Sequence, residues 1–135
     1  MKGGYLVVRA HGDAFGLPIS HVLEVSDLGE VLDVPRSHPA VRGVTPQRGR
    51  LVPLIHLGAL LAGGAAPEQL GRTAVLVRLG RREVVLEVDD ADEVVRETPL
   101  SMSRVDDLPW AMGVAQQHQH LVPILDLNAL EDRIL

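Results

Sequence analysis

Four groupings of side chains in this 135-residue chain carry residue types that do chemistry, and spacing decides what each can do. Ser20-His21 and several later aspartates supply the letters of a nucleophilic triad. No nucleophile elbow, phosphate-cradling glycine loop or paired catalytic carboxylates accompany them, so the sequence predicts a protein that is not an enzyme. Asp89, Asp90, Asp92 and Glu93 could face a divalent cation, yet the glycine and distal glutamate of an EF-hand loop are missing. They read as a solvated acidic face. His118 and His120 alternate to one side of a strand and would need a third ligand, such as Asp126, to hold a transition metal. No such ligand is identifiable in register, so neither a metal nor any other cofactor is expected. Arg42, Arg48 and Arg50 crowd one segment, but a net charge of −5 and three aromatic residues give neither the field nor the stacking platform that a nucleic acid requires. His56, beside Leu57, reads as a core-edge imidazole hydrogen-bonded to backbone.

These residues must be positioned by a unit that the chain writes twice. GVTPQRGRLVPLIHLGAL, from Gly43, returns as GVAQQHQHLVPILDLNAL, from Gly113, at an offset of 70 residues with nine of 18 positions identical. LPISHVLEV from Leu17 aligns with LEVDDADEV from Leu86 at an offset of 69. Two copies are too few for a solenoid, and each is near the lower size limit for an independent core. A single domain over 1–135 follows, with halves of about 1–62 and 72–135 leaning on one another through a linker near 62–71, AGGAAPEQLG.

The local pattern is mostly β. Tyr5–Arg9, Ala14–Ile19, Thr73–Leu79 and Arg82–Val88 are short Val/Leu runs punctuated by Gly12-Asp13 and Gly80-Arg81, so each half opens with a hairpin. Leu51–Leu57 and Leu121–Leu127 are nearly continuous apolar runs, as expected of strands covered on both faces. The proline third in each run removes a ladder donor and should sit at an edge or a bulge. Short helices are expected at Ser20–Glu24 with Ser20 as N-cap, at Gly58–Leu61 and at Asn128–Leu135. Two small, closed or nearly closed barrels fit this better than one sandwich, with Leu54, Ile55, Ile124 and Leu125 as buried seam residues. The composition is 46% hydrophobic, 23% charged and free of cysteine, which describes an ordinary globular protein and permits an intracellular location. Four apolar residues before Arg9 are too few for a signal peptide or a membrane span, so no direct membrane insertion is expected.

Residues Val41–Ile55, VRGVTPQRGRLVPLI, resemble the signature hairpin of the CheW-like chemotaxis coupling family. Val88–Val95, Met112-Gly113-Val114 and Leu125-Asp126-Leu127 are similar to its later landmarks, so the resemblance spans Tyr5 to Leu130. The chain departs from the pattern at His56, where an Asp is usual, at Glu87 in an apolar strand position, and at the glycine-free turn Gln117–His120. The resemblance implies an all-β fold of two intertwined SH3-like five-stranded barrels with short helices and an internal pseudo-two-fold. It also implies a cytoplasmic adaptor that links a chemoreceptor's tip to the regulatory domain of a CheA-type histidine kinase, driving flagella, type IV pili or another output. Protein-binding positions carried over from the family are Arg48, Gly43 and Gly49 on the hairpin, with Val22 and Glu24 on a short turn-helix after the second strand. Arg48 could equally pair within the chain, and the two glycines could serve the backbone alone.

Overall fold

The computed structural model describes residues 4–35, 38–96, 100–101, 110–117 and 120–134. Eleven strands and two helices form among them: β1 (Tyr5–Ala10), β2 (Asp13–Pro18), β3 (Val22–Asp27), β4 (Val41–Gln47), β5 (Arg50–His56), α1 (Leu57–Ala62), β6 (Thr73–Leu79), β7 (Arg82–Val88), β8 (Asp90–Val95), β9 (Leu100–Ser101), β10 (Ala111–Gln117), β11 (His120–Leu125) and α2 (Leu127–Ile134). They build two sheets, ordered β8-β1-β2-β11-β10-β9 and β3-β6-β7-β5-β4. Each sheet mixes strands from both halves of the chain: the opening hairpin β1–β2 lies beside β11, and the hairpin β6–β7 lies between β3 and β5. Neither sheet closes into a continuous ladder, and the first has six strands instead of five. The sixth is the two-residue β9, which pairs Leu100 with Val114; the second sheet has only an isolated bridge, Leu32 to Val44, at the corresponding place.

Alternation along single strands explains the continuous apolar runs. In β6, Ala74 and Leu76 join a cluster with Val52, Leu54 and Val85, while Val75, Val77 and Leu79 face the opposite way into the main core. β1 does the same, with Tyr5 and Val7 beside Val122 and Ile124, and Leu6, Val8 and Ala10 turned to the main core. Each sheet thus bends around a small cluster of its own and shares a larger one with its neighbour, where α1 and α2 insert Leu57, Leu60, Leu127 and Leu130. The four expected seam residues, Leu54, Ile55, Ile124 and Leu125, are all buried, but only Ile55 and Leu125 face the shared core, while Leu54 and Ile124 face the small cluster of their own sheet. Burial of a Leu or Ile side chain is worth about 1.5–3 kcal/mol, so two-sided strands make the most of short segments.

Two local expectations change, and the acidic run keeps its exposed face while gaining a strand. Ser20–Glu24 is not a Ser-capped helix: a 3-10 turn covers only Ile19–His21, follows Pro18 and has no side-chain cap. Val22 and Val25 favour extended backbone, and β3 pairs along β6 from Val22↔Val77 to Asp27↔Thr73. The acidic run is a strand too, since β8 pairs with β1. Pro53 and Pro123 lie in interior strands. Val44 directs its N–H and C=O to Leu32, so its partner Pro53 is a non-hydrogen-bonded pair on that side and turns its nitrogen toward β7. The parallel β5–β7 pairing begins only at Leu54↔Val85, one residue past the missing donor.

Candidate functional site

The β4–β5 hairpin carries three of the five predicted docking residues, Gly43, Arg48 and Gly49, and Val22 and Glu24 lie on β3. Its turn is Arg48-Gly49, with φ of 53° and 81°, the primed two-residue geometry whose twist suits adjoining strands. Gly49 serves that backbone. Arg48 adopts a left-handed conformation that costs an ordinary L-residue about 1–2 kcal/mol, and its side chain is 54% exposed. Its Nε lies 3.8 Å from Glu24 Oε2, itself on a 45% exposed side chain. Arg48 at the tip of one edge hairpin and Glu24 on the opposite edge strand therefore meet, because the open sheet curls. Val22 is half-buried against the main core, two residues before Glu24 and across a register shift, so it lies beside this spot and is not freely presented.

Gly43 behaves differently. It is buried at the bulge in β4, where a Cβ would come within 2.2 Å of the Leu32 carbonyl oxygen. The hydrogen bonds Leu32 N to Val44 O and Val44 N to Leu32 O hold the backbones that close. Gly43 is a requirement of backbone approach, not a surface contact. The apolar Leu51, 59% exposed next to Arg50, enlarges the tip and was not singled out from sequence; an isolated Leu in an apolar run gives no signal of facing outward.

The arginine grouping is dismantled by pairing. Arg42 forms a two-pronged bond to Glu87, Nε to Oε1 at 2.6 Å and Nη2 to Oε2 at 3.0 Å, with side-chain exposures of 10% and 0%. Its other donors reach the Pro67 and Gln69 carbonyls, and the Gly71 N–H donates to Glu87 Oε2 at 2.6 Å. The C-terminal part of the interhalf linker is strapped down by this ion pair, and Ala66 N, earlier in the linker, donates to the Pro39 carbonyl at 3.1 Å. Arg50 meets Glu83 at 2.9 Å, and Arg78 meets the same carboxylate at 3.4 Å. All three hairpin arginines therefore face carboxylates, closely at Arg42 and Arg50 and loosely at Arg48. Glu87 within an apolar strand needs a buried cation partner, which is the sequence signal that could have pointed to Arg42.

His56 and Asp126 occupy equivalent places in the two copies, and both cap helices. His56 Nδ1 accepts from Ala59 N at 3.0 Å, and Asp126 Oδ1 accepts from Ala129 N at 3.2 Å. Burial holds the His56 pKa below its ordinary 6.5, Glu87 and Asp89 oppose this, and Arg42 and His11 reinforce it. The His11 ring stands edge-on to it, 5.5 Å between centroids. Among the described residues no group of three or more His, Asp or Glu is placed to hold a metal. His118 lies outside the described residues, and His120 is an exposed strand residue. Among the described residues no helix is long and apolar enough to cross a membrane.

A family model described as the CheW-like domain matches residues 4–134. Protein FrzA of Myxococcus xanthus is 29% identical over 120 residues, covering 88% of this chain and 71% of that protein. The chemotaxis protein CheW of Thermotoga maritima is 26% identical over 125 residues, 90% of this chain and 82% of its own length. The scaffolding protein TtCheW of Thermoanaerobacter tengcongensis has the same fold, with a TM-score of 0.81 at 21% identity over 96% of this chain and 88% of that one. A chain whose repeated hairpins, interleaved sheets and nearly full-length match all agree belongs to the CheW-like domain family.

Proposed function

We propose that this chain is a cytoplasmic chemosensory adaptor that joins a chemoreceptor tip to the regulatory domain of a CheA-type histidine kinase, acting as a scaffold and not as a catalyst. Family membership supports the scaffold role, and the chemotaxis names of its relatives support the pathway. The observation that carries the finer reading is the meeting of Arg48 and Glu24 at one exposed spot, although 24 residues separate them in the chain. A planar guanidinium on a fixed turn, half its surface in solvent, can exchange a loose 3.8 Å contact for a partner's carboxylate or carbonyl at little cost. Gly43 and Gly49 support that surface by shaping the hairpin, and Val22 and Glu24 form its other edge. The six- and five-stranded open sheets, each curled around a small cluster of its own, support two SH3-like units related by a pseudo-two-fold.

A non-flagellar array, including one controlling type IV pili, is the second reading of the output. Arg48→Asn is the sharpest test, because Asn-Gly suits the same primed turn while removing the fork. The melting temperature should stay within the range of a surface change, about ±0.5 kcal/mol, or rise slightly. Affinity for the kinase regulatory domain or receptor tip should fall by about tenfold or more, measured by calorimetry. Unchanged affinity for both partners would remove Arg48 from the interface.

A further inference from the structure

We propose that His56 is an acid-sensitive latch: neutral, it caps α1 and walls in the interhalf linker, and protonated it releases both. The repeat supplies the comparison that makes this more than a buried histidine. At the equivalent place Asp126 caps α2 with the carboxyl oxygen Oδ1, and a carboxyl group keeps lone pairs to accept with whether or not it carries a proton. His56 does the same work with Nδ1, which can accept from Ala59 N only while it carries no proton. A proton there puts two donors face to face at the start of α1. The helix is only six residues long, and its other end is held by the Gly63 left-handed cap, so it has little else to lose before it frays.

The surroundings extend the effect beyond the cap. A cavity of about 300 Å³ beside His56 is lined by linker residues Pro67, Gln69, Leu70 and Gly71, with Arg72 and Asp89. The linker stays there because Arg42 holds the Pro67 and Gln69 carbonyls and Glu87 holds the Gly71 N–H. His56 is therefore faced from every side by charge or another imidazole: Arg42 on β4, Glu87 on β7, Asp89 just after β7, and His11 at the β1–β2 turn. A cation at His56 draws on Glu87, the carboxylate that Arg42 and Gly71 already share, and repels Arg42. His11 cannot retreat inward, since its ring covers Gly58, where an added Cβ would fall within 1.7 Å of it.

The sign follows from burial, which lowers the folded-state pKa beneath the ordinary 6.5. Below 6.5 the unfolded or opened form takes up the proton first, so the latch is complete above that pH and weakens as pH falls through and below it. The hairpin tip with Arg48 is at the far end of β5 from His56, whereas Gly43, beside Arg42 and opposite Leu54, lies near the latch.

Amide hydrogen exchange on the intact chain at pH 7.5 and pH 5, corrected for intrinsic rates, tests the latch. The Ala59 amide and the amides of 68–71 should lose about fivefold in protection at the lower pH, the loss expected for one helix cap, while the Ala129 amide under Asp126 holds. His56→Asn keeps an acceptor that does not titrate and should abolish the pH dependence of Ala59. Equal loss at α1 and α2, or a pH dependence unchanged in His56→Asn, overturns the proposal. NMR titration of the wild-type imidazole provides a measure that needs no variant: a His56 pKa at or above 6.5, or a proton resident on Nδ1 at pH 7.5, overturns it as well.

Discussion

The seam between β2 and β11 and the seam between β7 and β5 are the same feature of the two copies, yet one is open and the other closed. In both, a parallel pairing starts one residue after a proline: Ile124↔Gly16 follows Pro123, and Leu54↔Val85 follows Pro53. Before that point the strands splay. In the β5–β7 seam Arg50 reaches across to Glu83, and three register pairs follow. In the β2–β11 seam the equivalent residues are His120 and Ala14, there is one register pair, and cavities of about 310 and 330 Å³ open over Ala14, Leu121 and Pro123. Phe15 and Trp110, two of the three aromatic residues in the chain, meet edge to face under that opening at 5.7 Å. The lesson is that both seams splay before a proline, and that they differ beyond it in one side-chain pair and in the number of register pairs that follow.

The buried ion pair is where the copies diverge most in energy. Arg42→Ala would leave Glu87, with no exposed side-chain surface, bereft of its cation and would free the linker carbonyls; a loss of about 3–5 kcal/mol is expected in denaturant unfolding. The equivalent residue of the other copy is Met112, 49% exposed, and Met112→Ala should stay within about 0.5 kcal/mol. Similar losses at both positions would break the contrast. Gly43→Ala comes next, at about 1–3 kcal/mol, because the new methyl meets the Leu32 carbonyl backbone and not a yielding side chain. An unaltered melting temperature in that variant would return Gly43 to the surface role that the family resemblance implied.

How much of this was legible in the sequence depends on what each feature needs. Strand positions and buried seam residues need only local patterns, and β6 and β7 run over Thr73–Leu79 and Arg82–Val88 as their Val/Leu runs suggest. The identity of neighbours was not legible locally, since β2 meets β11 across more than a hundred residues. For that reason Arg42 read as one of three surface arginines, although it is buried against Glu87. Ser20–Glu24 looked helical from its cap residue, and tertiary pairing with β6 overrode that propensity. Arg48 and Gly49 were visible as a turn; that Arg48 itself takes a positive φ was not, because glycine alone advertises it. The contact to Glu24 required the curl of the whole sheet.

The smallest expected effect tests the seams most directly. Arg50 and Glu83 form a pair whose exposures are 64% and 17%, and Arg78 partly satisfies the same carboxylate, so their coupling in a double-mutant cycle should be about 0.5 kcal/mol and should shrink in high salt. Placing the pair in the other copy, as Ala14→Glu with His120→Arg, puts opposite charges at the corresponding places across the β2–β11 splay. If one side-chain pair suffices to close a seam, that double variant should show a favourable coupling of similar size, and the Trp110 indole should become harder to quench by acrylamide. The two single variants should do neither. A coupling near zero, with quenching unchanged, would mean that the seams differ in backbone separation and not in the pair that spans them, and the open side would then be set by its single register pair, Ile124↔Gly16.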